Sequence, residues 1–226
     1  MADRPIRKNN FIFGEVNVDA AGHERVAVLP VVGRWSQVQP SSLNHVIFGS
    51  MTSTAFHNFD LKRFWNDSDY AIKAYIGAAP ADELILSIEK ELGYKLPVAY
   101  IELMKTHNGG IPFNTCFPTS KPTSWAADHI AISGVAGIGR TKTYSLCGER
   151  GSQFMIDEWG YPEIGICVCN CPSAGHDMIM LDYSACGKTG EPTVVHVDQE
   201  SDYHITFLAE NFESFIRGLV NKNQYE

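Results

Sequence analysis

Hydrophobic positions recur at two distinct periods along this chain, and each stretch names its own element. Leu84, Ile85, Ile88 and Leu92 fall at helical spacing after Pro80, with Glu83, Lys90 and Glu91 on the opposite face. Gly93 suits the left-handed residue that closes such a helix. Pro97 opens a second helix at its first helical position, running through Ile101 and Met104 to Asn108, Gly109 and Gly110. The two helices meet at the linker GYKLP. Further on the period changes to that of strands: Ile164 to Cys169, Asp177 to Asp182, Thr193 to Asp198 and Tyr203 to Leu208. Short turn-rich links at Gly187–Glu191 and Gln199–Asp202 predict an antiparallel meander. Phe212, Phe215, Ile216, Leu219 and Val220 then restore helical spacing, with Asn211 as N-cap.

The intervening segments read less clearly. Ile111 to Gly160 is rich in Gly, Pro, Ser and Thr and predicts loop, with one strand at His129–Ser133. Near the start, Phe11–Val18 and Arg25–Val32 predict a β-hairpin around DAAGH, and Gly33 to Asn58 predicts a loop-like connection. Helices and strands do not alternate regularly, so no parallel sheet is required. The expected architecture is α+β: an antiparallel, meander-containing sheet flanked by helices, with a β-rich extension over residues 1–60 and a main domain over 61–226.

Composition narrows the class. With 226 residues, 44% of them hydrophobic, the chain is long enough to bury a full core. Its longest apolar run, Val26–Val32, is broken by Pro30 and far shorter than the ~20 residues that span a bilayer. The opening MADRPIRKNN lacks the apolar stretch of a signal peptide, so a cytoplasmic protein with no membrane partner is expected. Eighteen basic residues against 26 acidic give a net charge of -8, which disfavours direct nucleic-acid binding and suits a basic protein partner. Six cysteines in a chain of this size and start predict reduced, buried thiols instead of a disulfide scaffold.

Several clusters invite a chemical reading. Cys167, Cys169 and Cys171 precede His176, and thiolate with imidazole can ligate zinc or form a nucleophile pair. Alternation along a strand, however, would set the sulfurs in a row on one face, with Ile164, Ile166 and Val168 on the other. The preferred reading is a central strand buried on both sides, and no cofactor is expected. Asp198, Glu200 and Asp202 have the spacing of a calcium loop, but Tyr203 stands where Gly is needed and Ala209 where Glu is needed. A solvated acidic turn is expected there. Gly187-Lys188-Thr189 has Asp182 where a phosphate-binding loop needs Gly, and Gly134, Gly137 and Gly139 do not form the dinucleotide fingerprint.

The ordered series IEKELGYKLPVAYIELMKTHNGG, EWGYPEIGICVCN, GHDMIMLDYS, GEPTVVHVDQE and LAENFESFIRGL resembles the SUKH superfamily, the fold shared by fungal cell-wall-assembly regulators and many bacterial immunity proteins. The resemblance runs from about Phe64 to Leu219. Leu92, Gly93, Leu96, Pro97, Tyr100, Asn108, Gly109 and Gly110 match its helical opening, and Asp177, Leu181 and Asp182 its central strand. It implies a protein-interaction domain, not an enzyme: either an immunity protein that occludes a cognate toxin, or a regulatory scaffold for cell-wall or signalling proteins. A thiol- or metal-dependent hydrolase centred on Cys171 and His176 is the enzymatic alternative. The expected contact residues are the acidic and aromatic groups at strand ends and loops: Glu158, Trp159, Tyr161, Asp182, Tyr183, Asp198, Glu200 and Asp202. Burial of Trp159 and Tyr161 beneath the long loop is the competing expectation.

Overall fold

The structure is a computed structural model that describes residues 55–225 and, before them, two short strands. The chain divides into two compact units, Met1–Ser50 and Met51–Glu226. In the first, β1 (Asn17–Val18) pairs antiparallel with β2 (Glu24–Arg25), setting Val18 opposite Glu24. The outer parts of the expected hairpin, and residues 33–54 of the expected loop, lie outside the described residues.

In the second unit a 3-10 turn at Leu61–Arg63 precedes α1 (Asp69–Ala74), whose N-cap Ser68 accepts a hydrogen bond from the Ala71 N–H. Helix α2 (Asp82–Leu92) buries Ile85 and Ile88 and ends at Gly93 with φ of 77°, the left-handed closure that its sequence predicts. Helix α3 (Val98–Thr106) buries Tyr100, Leu103 and Met104. Pro97 sits one position earlier than expected, as the N-cap of α3. The linker between the helices is held by Glu89, which is itself buried: one carboxylate oxygen accepts from the Leu96 N–H at 3.0 Å and the other from Lys95 Nζ at 2.6 Å. Asn108 does more than close a helix. It donates to the carbonyls of Ala78 and Ile138 and accepts from the Ile138 N–H, pinning two loops to the end of α3.

Two sheets follow. Strand β3 (Cys116–Pro118) pairs with β4 (His129–Ala131), and the main sheet runs β5 (Gly134–Val135), β6 (Gly165–Asn170), β7 (Asp177–Asp182), β8 (Thr193–Asp198) and β9 (His204–Ala209). All five strands of the main sheet are antiparallel and adjacent in chain order, the meander that the turn signals predict. Four helices and strands inside or before the segment read as loop were not anticipated: α1, β3, β5 and α4 (Ser152–Trp159). The strand expected at His129–Ser133 is present as β4, which ends at Ala131 and pairs with β3.

One face of the main sheet packs on the large core. Ile179, Leu181 and Val194 meet Phe212, Phe215 and Ile216 of α5 (Phe212–Arg217) and the buried residues of α2 and α3. Full burial of each such side chain is worth about 1.5–3 kcal/mol. The other face is covered over its middle strands by α4, where Met155 and Tyr161 meet Cys167, Met178, Met180, Val195 and Val197. Helix α5 is shorter than its sequence pattern implied. It stops at Arg217, and Val220 turns back to bridge Cys116 instead of completing a third turn.

Candidate protein-binding surface

The paired register of β7 and β8 decides which predicted residues meet. Asp177 lies opposite Asp198 at one end, and Asp182 opposite Thr193 at the other. Five residue steps at about 3.4 Å put these ends roughly 17 Å apart. The expected contact residues are therefore divided between two ends of the sheet, a correction that alternation along single strands could not have supplied.

At the far end, Tyr183 is 2% exposed and donates its hydroxyl to the Lys95 carbonyl, with Tyr94 packed beside it at a ring separation of 4.7 Å. Burial raises the Tyr183 hydroxyl above its ordinary range and holds it neutral. Asp182 accepts from the Ser184 N–H at 2.8 Å and orders the turn after β7. Tyr183 is thus enclosed by the fold, whereas Asp182 stays half-buried.

The near end is built differently. Tyr161 is also only 2% exposed, and its hydroxyl donates to the Gly175 carbonyl at 2.7 Å, so the competing expectation of burial holds for this ring. Trp159 is half-buried, lying against Gly175 and edge-on to His176 at 5.7 Å, while its carbonyl accepts from the Tyr203 hydroxyl. Such packing constrains the loop: Gly175 takes φ of 109°, and a Cβ there would come within 3.1 Å of the indole. His176 Nδ1 donates to Gln199 Oε1 at 2.9 Å and lies 3.7 Å from Glu200. Glu158, Glu200 and Asp202 are exposed around this aromatic centre.

Asp198 does not belong with them. It is 2% exposed, and its carboxylate accepts from the N–H groups of Ser124 and Ser201 and from the Ser201 hydroxyl. Burial by itself would raise its pKa, but these donors outweigh burial and hold it below the usual carboxylate value. Asp198 caps the one-turn 3-10 helix Gln199–Ser201, so the acidic turn is ordered by a buried carboxylate instead of being fully solvated.

The thiols also depart from the simple strand picture. A β-bulge between Cys167 and Cys169 changes their register against β7 and sends successive odd positions to opposite faces. Cys167 enters the layer under α4, whereas Cys169 and Cys171 enter the main core. All three are buried, which pushes the Cys167 thiol up to about 12 and raises Cys169 and Cys171 well above their ordinary value. Reactive thiols need the opposite shift. Among the described residues no hydrogen bond joins Cys171 to His176, and no three His, Cys, Asp or Glu side chains are placed to hold a metal ion.

Sequence reasoning passed over two features. His196 is fully buried with its Nε2 3.6 Å from Asp177 Oδ1, and neither ring nitrogen has a hydrogen-bond partner among the described residues. Its one signal was a histidine inside the apolar run TVVHV. Beside α4, Tyr144, Phe154, Trp159, Arg150 and Asn170 line a cavity of about 130 Å³. It was illegible because α4 itself was read as loop.

Antiparallel meander, paired opening helices joined through Glu89, and closing helix together define a helix-flanked α+β domain without an assembled reactive centre in its thiol segment. The SUKH_6 family model, described as SMI1-KNR4 cell-wall, matches residues 82–216, more than half of the chain, and the protein belongs to this family. The match lies within the Phe64–Leu219 stretch that carried the resemblance. No curated protein matches significantly. Among the described residues no helix is long and apolar enough to cross a membrane.

Proposed function

We propose that this protein is a cytoplasmic, non-catalytic binding module of the immunity type, which neutralises a cognate toxin by covering its working surface. The observation that carries the reading is the near end of the main sheet, where exposed Glu158, Glu200 and Asp202 surround the half-buried Trp159 and His176. An aromatic held by packing loses little freedom on binding, and the surrounding carboxylates favour a basic partner such as a nuclease. The net charge of -8 acts in the same sense over longer distances. High-pKa, enclosed thiols support a role without covalent chemistry.

The family description, SMI1-KNR4 cell-wall, favours a second reading as a regulatory scaffold for wall-synthesis proteins. Affinity purification of the full chain from its native host, with identification of bound proteins, separates the two. A basic toxin domain supports immunity, and wall-synthesis enzymes support the scaffold. Once a partner is in hand, Glu200→Lys with Asp202→Lys should weaken binding about tenfold or more through charge reversal. Unchanged affinity would remove this end of the sheet from the interface.

A further inference from the structure

The main sheet ends at β9, and the covering layer ends before it. Met155 and Tyr161 shield Val195 and Val197 of β8, but the next side chains on that face, Ile205 and Phe207, are 42% and 54% exposed. Register confirms that they share the face, since Val197 pairs with Ile205 and Val195 with Phe207. No other strand pairs with β9 among the described residues, so its outer edge carries unpaired backbone N–H and C=O groups. An edge strand with exposed apolar side chains is a template for another strand, and soluble proteins ordinarily blunt it.

Charge selects the occupant. Exposed Asp202 and Glu210 bracket the strand, one just before it and one just after. A second copy pairing antiparallel about Thr206 would put Ile205 opposite Phe207 and bring the turn at Asp202 towards Glu210, so both ends of the pair would gather carboxylates. Like charges directly opposite each other oppose pairing. A strand with lysine or arginine at its ends meets no such penalty.

We infer that β9 is a docking edge for an extended segment of a partner protein, with apolar side chains at alternate positions to lie beside Ile205 and Phe207 and basic residues facing Asp202 and Glu210. Backbone hydrogen bonds supply affinity in this mode of strand addition, and the alternate side chains with the terminal charges supply selectivity. The inference deepens the reading of the protein as a binding module and rests on it. It places a second contact region on the strand that follows the Asp198–Asp202 turn, so one basic partner can engage both.

The test uses the full chain and a short synthetic peptide alternating valine with lysine, followed by amide NMR shifts and fluorescence anisotropy. Shifts concentrated at residues 203–209 and on β8 are expected, with at least about tenfold weaker binding to the Ile205→Lys/Phe207→Lys variant. A peptide alternating valine with glutamate should not bind, and N-methylation of the amides facing β9 should abolish binding. Shifts elsewhere, equal binding of the acidic peptide, or a wild-type dimer that the Ile205→Lys/Phe207→Lys variant dissolves would each overturn the inference. The same variant is then measured against the partner purified from the host. Undiminished binding there refutes docking at β9 while leaving the binding-module reading intact, whereas failure to find any partner refutes that reading separately.

Discussion

Asp198 offers the sharpest test of the reasoning, because the sequence placed it on a binding surface and the structure places it inside the fold. Its carboxylate accepts three hydrogen bonds, two from Ser124 and Ser201 N–H groups and one from the Ser201 hydroxyl. Hydrogen bonds to a charged group are worth about 1.5–3 kcal/mol each, but Ser124 and Ser201 are exposed and water replaces part of what is lost. The expected cost of Asp198→Ala is therefore about 2–3 kcal/mol, and Asp198→Asn, which keeps one acceptor oxygen, should cost roughly half. For a domain of this size each kcal/mol moves the melting temperature by about 2–4 °C. Acid provides an independent check. The folded-state pKa of Asp198 is depressed, so its stabilisation is fully present above the unfolded value of about 3.9 and is lost as the pH falls through the folded value. Urea unfolding of wild type and Asp198→Asn should thus show a gap at neutral pH that closes progressively below about pH 4. A loss under about 0.5 kcal/mol for Asp198→Ala, or a gap unaffected by acid, would refute the assignment of this residue to the fold.

Three further outcomes follow from the same structure. Native protein treated with iodoacetamide near pH 8 should label at exposed Cys186 first, with Cys147 slow because burial pushes its thiol up to about 12, and with Cys167, Cys169 and Cys171 reacting only after denaturation; mass spectrometry of the labelled peptides reads the order. Gly165→Ala should destabilise by about 3 kcal/mol or more in urea titration, since a Cβ would lie 1.8 Å from the Leu181 carbonyl oxygen in the neighbouring strand. Asn211→Ala, which removes the side-chain oxygen that accepts from the Ser214 N–H, should cost about 1 kcal/mol and lower the melting temperature by a few degrees.

Much of the architecture was legible because it follows from local physics. Period fixes element type, so β7 and β8 fall at their expected limits and α2 ends at Leu92, just before Gly93, as expected. Gly93 and Asn211 announce a helix end and a helix start through backbone freedom and side-chain capping. Helix α4 escaped because SQFMIDEW lacks a side-chain N-cap and sits among turn formers, so its helicity depends on Met155 packing against the sheet. Val220 shows the reverse case, in which an apolar residue at helical spacing is drawn into a bridge with Cys116.

The candidate surface was legible only as residue types. Sequence by itself determined an acidic α+β chain with a meander, a closing amphipathic helix, and aromatics and carboxylates near strand ends. Tertiary structure decided which of those groups are available: it buried Tyr161, Tyr183 and Asp198, separated Asp182 from Glu200 by the length of β7, and left Ile205 and Phe207 uncovered at the sheet edge. Local propensity acts over a few neighbouring residues, whereas exposure depends on what packs across strands and layers from distant parts of the chain. A bulge of one residue between Cys167 and Cys169 was enough to send two thiols to opposite sides of the sheet, which no periodic reading of that strand contains.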